Sequence, residues 1–492
     1  MEEALSNRLI LLQILGNISP KVARLVCHSW NNIALHDDRL VINLKSKSDI
    51  QLANLCRRLS PSLARNITLR NCRNELTCVK EGVNGQLNIT DIKNLSCFIT
   101  LFNQYVQKLD MTLNPTLFPA LYKLFQTREN FINLKYLDVH ICRGEKNSEI
   151  PNDEYLPLAP RKKLSTIKFR IDKNCDAYRE LYQGLLNCAV NLLNLRLVGN
   201  WLPDQGTQLN LKSLEYVGLG KLDLAKLSNL VFQVAHSLQY LHLYSEVDTR
   251  KVDPQKFKLP ATMPNLIKLS NIHPNIFPIQ IQHVMSNRMK NLRTIQLKDL
   301  SGDLLLNVFC SGNISNAINP CVSTLSLNGI VLPEVLAKVR VPFPNLRNLE
   351  LILMPRNAVS RVVQDNSFKM NKAELNAVMG AIGSLNLRRI TIMLCYPLKC
   401  RGFFKTLSNN LGVFENACLE YFELEMSCYD NGSLMDDFCE TEDFKEILFQ
   451  LLLTLKRLKK VKFDCPNFKF TLQFAEQLFR FIFCHGINVE FC

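Results

Sequence analysis

The chain has 492 residues, of which 47% are hydrophobic and 21% are charged, a composition that excludes an intrinsically disordered protein. Lysine and arginine outnumber aspartate and glutamate by 59 to 44, and the net charge of +15 favours acidic partners. Because no dense Lys/Arg tract accompanies this excess, we expect a solvated basic surface rather than a nucleic-acid site. The longest apolar run, residues 447–455, is too short to span a bilayer, so we expect no membrane segment.

The first forty residues differ from the rest and predict two or three short amphipathic helices. Ser19-Pro20 is a typical helix start, because serine caps a helix and proline fits its first turn. The segment's apolar residues recur at helical spacing, among them Leu5, Leu9, Leu12, Ile14, Leu25, Val26 and Trp30. These helices are too few to bury their own apolar faces, and we assign residues 1–40 to a small all-α domain.

From residue 41 onward one pattern recurs, L-x-x-L-x-L, which is clearest at Leu238–Tyr244. The last two apolar positions alternate with polar or aromatic residues, as a strand with one buried face requires. The pattern begins at Val106, Leu134, Leu164, Leu192, Leu214, Leu238, Leu266, Leu292, Val322, Leu346, Leu387, Leu419 and Leu458. The spacing is mostly about 22 to 30 residues, the period of leucine-rich repeats. Residues 41–492 therefore predict an α/β leucine-rich-repeat solenoid, with a curved parallel sheet on the concave side and helices on the convex side.

Additional strands and several helices are predicted around these repeats. Strands are expected at Val41–Leu44 and Asn66–Leu69, and helices at Asp49–Leu59, Ile92–Phe102, Ala177–Leu186, Pro278–Met289, Lys372–Ile382, Asp443–Leu455 and Thr471–Phe483. Three polar or mixed insertions, residues 143–163, 353–372 and 429–443, lengthen their repeats. Loops of this length are often functional, but they are equally often insertions that have no function and that the fold tolerates.

Residues at offsets 2, 4 and 6 of each pattern should face the concave surface, because alternate side chains of a strand point to opposite faces. The candidates for binding a protein substrate there are Tyr136, Lys168, Arg170, Arg196, Tyr216, Tyr240, His242 and Tyr244. Tyrosine and arginine are the residues from which interface hot spots are commonly built. The alternative interpretation is that tyrosine occupies these positions because it favours strands.

Catalytic and metal-binding patterns are not found in the sequence. The eight histidines are scattered, without an H-E-x-x-H pair, and no nucleophile elbow occurs. Gly218-Leu-Gly220-Lys221 lacks the spacing of a phosphate-binding loop. No C-x-x-C pair is present, which argues against structural zinc. We expect a protein that is not an enzyme and that binds no cofactor.

The cysteines and the N-terminus together predict a compartment. Eighteen cysteines would suggest disulfides in a secreted protein. The sequence begins Met1-Glu2-Glu3-Ala4, however, with neither a basic region nor a cleavable apolar stretch. We therefore expect a reducing compartment, the cytoplasm or the nucleus or both.

The N-terminal segment resembles an F-box. The resemblance is carried by Leu5-x-x-x-Leu9-x-x-x-x-Ile14-Leu15, Ser19-Pro20-Lys21, Leu25-Val26-Cys27-x-x-Trp30-x-x-x-Ala34 and Asp38-Arg39-Leu40. An F-box followed by leucine-rich repeats is similar to the substrate receptors of Skp–cullin–F-box ubiquitin ligases. The resemblance implies that Leu5, Leu9, Leu12, Ile14, Leu25, Val26 and Trp30 bind a Skp-type adaptor, and through it a cullin, while the repeats hold a protein substrate.

Two alternatives stay open. The usual Leu-Pro-x-Glu opening of an F-box is here Leu5-Ser6-Asn7-Arg8, and the stretch between Pro20 and Val26 is about one helical turn short. The chain could therefore be an interaction scaffold with a relic F-box that only caps the repeats. It could also be a basic solenoid that binds nucleic acid or a phosphoprotein, in which case binding should weaken steeply with salt.

Overall fold

A computed structural model describes much of the chain from residue 42 to residue 491. The described residues are 42–44, 65–70, 102–113, 118–141, 157–171, 179–204, 210–219, 222–245, 254–271, 288–299, 305–306, 309, 318–329, 331–353, 372–394, 400–414, 418–426, 442–464 and 471–491. The predicted adaptor-binding residues Leu5, Leu9, Leu12, Ile14, Leu25, Val26 and Trp30 lie outside them. The predicted helix at Asp49–Leu59 also lies outside the described residues. The same holds for most residues of the predicted helices at Ile92–Phe102 and Pro278–Met289 and for most residues of the three insertions.

The chain divides into two compact units, Met1–Val234 and Ala235–Cys492. In the described part of the first unit, seven parallel strands pair in chain order. The strands are β1 (Ile42–Leu44), β2 (Asn66–Arg70), β3 (Lys108–Leu113), β4 (Tyr136–Ile141), β5 (Thr166–Ile171), β6 (Asn194–Val198) and β7 (Ser213–Gly218). The helices are α1 (Phe118–Gln126), α2 (Arg179–Cys188) and α3 (Leu224–Val234).

The described part of the second unit repeats this architecture with nine parallel strands, again paired in chain order. The strands are β8 (Tyr240–Ser245), β9 (Lys268–Asn271), β10 (Thr294–Asp299), β11 (Thr324–Gly329), β12 (Asn348–Leu353), β13 (Arg389–Leu394), β14 (Tyr421–Met426), β15 (Lys460–Asp464) and β16 (Val489–Phe491). The helices are α4 (Pro333–Lys338), α5 (Lys372–Gly383), α6 (Cys400–Asn409), α7 (Glu442–Leu455) and α8 (Leu472–His485). Short 3₁₀ turns lie at Pro254–Lys256 and Leu411–Val413. The prediction of an α/β fold with a parallel sheet is confirmed.

The apolar pattern places the strands accurately. For twelve of the thirteen predicted starts, the strand begins two residues after the first apolar residue, as β4 begins at Tyr136 after Leu134. In β4 the side chains alternate between half-buried and buried, and Leu137 and Val139 are fully buried. Neighbouring strands keep the same register, so that Leu137 aligns with Ile167. The repeated leucines therefore stack into one continuous apolar layer in each unit.

The exception is β7, where the predicted start at Leu214 is wrong by three residues. Leu195 aligns with Leu214, and Leu197 aligns with Tyr216. The first apolar residue of this repeat is therefore Leu211, which is fully buried. Tyr216 points into the core, where it is also fully buried. The predicted placement of Tyr216 on a substrate-binding face is consequently wrong. Its large aromatic ring stabilises the core because its apolar surface is removed from water there.

Helices cover the buried side of the strands. The predicted helices at residues 177–186, 372–382, 443–455 and 471–483 correspond to α2, α5, α7 and α8, with ends shifted by a few residues. Phe169 of β5 packs against Tyr182 of α2, with ring centroids 5.6 Å apart. Phe463 of β15 packs against Phe404 of α6 at 5.8 Å. No helix in the described part of the chain is long and apolar enough to cross a membrane.

An asparagine ladder joins the turns of successive repeats. Each of these asparagines directly precedes the first apolar residue of its repeat, and its side-chain amide donates to a backbone carbonyl of the preceding repeat. The donor and acceptor pairs are Asn133 to Gln104 (2.5 Å), Asn191 to Lys162 (2.9 Å), Asn265 to His236 (2.6 Å), Asn291 to Pro264 (2.8 Å) and Asn345 to Pro320 (2.9 Å). The ladder ties neighbouring repeats at a point where the strands have not yet begun, and it was not predicted.

Candidate binding face

The side of the strands that none of the described helices covers is the candidate functional surface, and we call it the open face. It consists of the half-buried and exposed strand residues that alternate with the buried leucines, as in β5, where Thr166, Lys168 and Arg170 alternate with Ile167, Phe169 and Ile171. The offsets taken from the sequence predicted this alternation in most described repeats. In β7 the register differs, and in β9 and β11 the open-face residues Ser270 and Ser326 are buried. Each unit has its own section of the open face.

In the first unit, charges of both signs form a row across four strands. Asp138 aligns with Lys168, Lys168 with Arg196, and Arg196 with Glu215. Nε of Arg196 lies 3.2 Å from Oε1 of Glu215. The two predicted basic residues are therefore adjacent, but an acidic residue stands at each end of the pair. Glu215 was missed because the three-residue error in β7 had assigned it to the buried side.

Tyr136 organises the neighbouring part of this face. Its phenol donates a hydrogen bond to Oδ2 of Asp138 at 3.0 Å. The ammonium groups of Lys108 and Lys168 lie 4.8 and 5.3 Å from the centre of its ring, a distance at which a cation is attracted to an aromatic face. Burial, followed by the negative charge of Asp138, raises the pKa of Tyr136 above its ordinary value. The tyrosine thus stays neutral and acts as a fixed platform between two cations.

Arg170 is the most exposed of the predicted basic residues on β5. It aligns with His140 on one side and with Val198 on the other. The structure places Lys168, Arg170 and Arg196 on two adjacent strands of the first unit, as predicted, and adds Tyr136 on the strand beside them, which was not expected in this group. These four side chains combine an aromatic ring with three cations, the composition suited to holding an acidic or aromatic group of a partner.

In the second unit, β8 carries the three other predicted residues, Tyr240, His242 and Tyr244. The Tyr240 side chain is 44% exposed. Nδ1 of His242 lies 2.8 Å from Oγ of Ser270, and this hydroxyl donates to Oε1 of Gln296 at 3.0 Å. The imidazole, hydroxyl and amide thus form a chain of hydrogen bonds across β8, β9 and β10, which orients the His242 ring on the open face.

Farther along the second unit, the open face carries an ion-pair network that was not predicted. Glu423 lies 2.7 Å from Arg389 and 3.4 Å from Lys462, and Lys462 lies 3.0 Å from Asp464. The hydrogen bond to Asp464 is the main cause that raises the pKa of Lys462. Burial, assisted by Asp464, raises the pKa of Glu425. Three acidic and two basic side chains meet here and largely cancel one another, so these charges set the specificity of a contact more than they attract a partner from a distance.

The described residues of the two units contain no group of three or more His, Cys, Asp or Glu side chains that could hold a metal ion. What the open face offers is hydrogen-bond donors, paired charges and partly exposed tyrosine rings, which can bind a surface. A scan against family models finds no match for this chain, and a search of curated proteins finds none either.

Proposed function

We propose that the chain is a substrate-recognition subunit of a Skp–cullin–F-box ubiquitin ligase, and that it binds a protein substrate on its open face. The observation that carries the proposal is the open face itself. Strand after strand presents polar and aromatic side chains that stay half-buried or exposed, whereas the alternate residues are buried. A repeated surface of this kind is how leucine-rich repeats and other solenoids bind partners.

The strongest part of this surface for substrate binding is the cluster of Tyr136, Lys168, Arg170 and Arg196. The rigid sheet holds these side chains in place, so binding requires little ordering of the receptor. The tyrosine ring is already fixed between two lysines and hydrogen-bonded to Asp138. A substrate with an acidic group beside an apolar side chain would match this cluster.

The ligase role comes from the resemblance of residues 5–40 to an F-box. In that arrangement the N-terminal segment binds the Skp-type adaptor, the adaptor recruits the cullin, and the repeats hold the substrate near a ubiquitin-charged enzyme. The chain then positions the substrate and raises its effective concentration near the ubiquitin-charged enzyme, and it carries out no chemical step itself. This role is compatible with either the cytoplasm or the nucleus.

The adaptor half of the proposal is tested by affinity capture from cell lysate, scored for Skp and cullin. The full-length chain is compared with a form that lacks residues 1–40 and with the point variant Trp30→Ala. We expect capture by the full-length chain and loss with both variants. If the full-length chain captures neither protein, the F-box is a relic and the chain is an interaction scaffold.

The substrate half is tested in the same captures with the variant Tyr136→Ala/Arg170→Ala/Arg196→Ala. We expect this variant to retain Skp and cullin and to lose at least one captured protein that the wild type binds, by roughly tenfold or more. The matched control is Arg128→Ala/Lys405→Ala, which removes two exposed cations away from the open face. An unchanged set of captured proteins in the triple variant would show that the open face is not the substrate site.

A further inference from the structure

The most exposed large apolar side chains in the described part of the chain lie together on helix α8. Leu472, Phe479 and Phe483 are 79%, 66% and 87% exposed. Every other exposed large apolar side chain among the described residues is at most 54% exposed. Such a concentration on one helix of 14 residues is an apolar surface of the kind that marks an interaction site.

Helix α8 is well fixed, so this exposure is not the result of a loose end. The side chain of Thr471 accepts a hydrogen bond from the backbone N–H of Phe474 at the first turn, and Gly486 ends the helix with a left-handed φ of 61°. Phe474 and Leu478 are buried. Phe481 stacks on Phe449 of α7 with ring centroids 4.3 Å apart. One face of α8 is therefore packed on α7.

The exposed residues lie on the opposite face of the helix. At about 100° per residue, Leu472, Phe479 and Phe483 project within a narrow stripe that points away from Phe474 and Leu478. We call these three residues the α8 stripe. A helix that is apolar on two opposite faces is expected to pack on both.

Two opposite charges accompany the α8 stripe. Both lie on the same side of it: at about 100° per residue, Glu476 projects about 20° and Arg480 about 60° beyond Phe483. Neither makes an ion pair with another residue in the described part of the chain. The point midway between them is close to Phe479. In two antiparallel copies of α8 that meet at this point, each Glu476 faces the Arg480 of the other copy, the Phe479 rings meet, and Phe483 covers Leu472.

We propose that α8 is a homodimer interface, in which two copies of the chain pair their α8 stripes antiparallel about a twofold axis. The self-complementary order of apolar, acidic and basic residues is what a twofold interface requires, because the same patch serves both partners. An anionic membrane surface fits less well. Membrane-surface helices carry several lysines or arginines, whereas α8 has one arginine, no lysine and one glutamate.

The test is sedimentation equilibrium of the full-length chain over a wide range of concentration. We expect the wild type to be dimeric and Phe479→Glu/Phe483→Glu to be monomeric at the same concentrations. Both side chains are already exposed, so the variant should keep the circular dichroism spectrum of the wild type, and the melting temperature that the wild type has when it is diluted to the monomer. A wild type that stays monomeric throughout, or a variant that dimerises as well as the wild type, overturns the proposal.

A charge exchange tests the antiparallel pairing. Glu476→Arg and Arg480→Glu each place like charges opposite one another at two symmetric positions, and we expect each to weaken the dimer on the order of tenfold. The double variant Glu476→Arg/Arg480→Glu should recover the wild-type association constant. A double variant as weak as the single ones overturns this pairing. So does a monomeric wild type that binds phosphatidylcholine vesicles containing phosphatidylserine through α8.

Discussion

Tyr216 shows how a single side chain can reverse an interpretation of this chain. It was expected on the substrate-binding face, yet it is fully buried, and its hydroxyl has no hydrogen-bond partner among the described residues. Burial raises the pKa of its phenol above the ordinary value of 10.0. The residue thus contributes its aromatic ring to the core, while its hydroxyl adds a cost of desolvation.

We therefore predict that Tyr216→Phe leaves the free energy of unfolding at neutral pH unchanged or raises it by up to about 1 kcal/mol. Above the ordinary tyrosine pKa of about 10, the unfolded phenol loses its proton while the folded one retains it, so wild-type stability falls with rising pH. The variant should lose less stability there. Urea unfolding at neutral and alkaline pH measures both effects.

Tyr240→Phe is the control, because it removes a partly exposed hydroxyl from the open face. It should follow the wild type at both pH values. Tyr216→Phe should also leave substrate capture unchanged. A loss of capture in Tyr216→Phe would mean that its hydroxyl reaches a partner after all.

The error at Tyr216 has a physical origin in two overlapping patterns. Leu211, Leu214 and Tyr216 form one possible inward set, and Leu214, Val217 and Leu219 form the other. Spacing alone favours the second set, because Leu214 lies 22 residues after Leu192 whereas Leu211 lies only 19 residues after it. The structure adopts the first set, which buries a complete aromatic ring beside the leucines. At the other predicted positions of the open face no second pattern competes, and the alternation was sufficient.

At the scale of elements, Arg161 closes the end of α1. Its guanidinium is buried, and its nitrogens donate to the carbonyls of Phe125 (2.8 Å), Thr127 (2.9 Å) and Arg128 (2.6 Å). These carbonyls lie in or just after the last turn of the helix, where no intrahelical donor remains. Burial lowers the pKa of Arg161 from its ordinary value. The arginine thus connects α1 to the segment that leads into β5.

We predict that Arg161→Ala lowers the free energy of unfolding by about 2 to 4 kcal/mol, because one buried and two partly buried carbonyls lose their donor and a buried side chain is removed. Chemical unfolding measured by circular dichroism gives the value. The neighbouring variant Lys162→Ala removes only an exposed side chain and should change stability by less than about 0.5 kcal/mol. Equal effects of the two variants would contradict the role of Arg161 as a helix cap.

Helix prediction succeeded for α2, α5, α7 and α8, whereas α1 and α3 were missed although their apolar residues recur at helical spacing. Helices α7 and α8, each of 14 residues, have strong apolar periodicity and were predicted within one or two residues at each end. Helix α4 has six residues, too few for periodicity to be recognised. Helix α6 contains glycine and asparagine, which disfavour a helix, and it is held by the packing of Phe404 on Phe463. Tertiary packing of this kind is not visible in a local pattern.

At the scale of the whole molecule, the asparagine ladder couples one repeat to the next. We predict that Asn265→Ala/Asn291→Ala/Asn345→Ala lowers the free energy of unfolding by about 2 kcal/mol, the sum of three modest hydrogen bonds. Thermal or urea unfolding of the full-length chain measures the loss.

The control for the ladder is Asn386→Ala. Asn386 occupies the same position, directly before Leu387, but its side chain makes no hydrogen bond within the described residues. This variant should match the wild type in stability. A triple variant that also matches it would show that the ladder contributes no net stability in water.

Within each unit, each described strand pairs only with the strands of the preceding and following repeats. A whole repeat can therefore be added or removed without changing the strand register elsewhere. Leu241 aligns with Leu269, and Leu269 aligns with Ile295. Loss of residues 266–291 in one genetic event would therefore bring Leu241 opposite Ile295 in an unchanged register, with Asn265 now directly before Leu292. Whole repeats can in this way be gained or lost during evolution while distant parts of each unit keep their partners. Proteins of this lineage can accordingly differ in repeat number and still retain the open face.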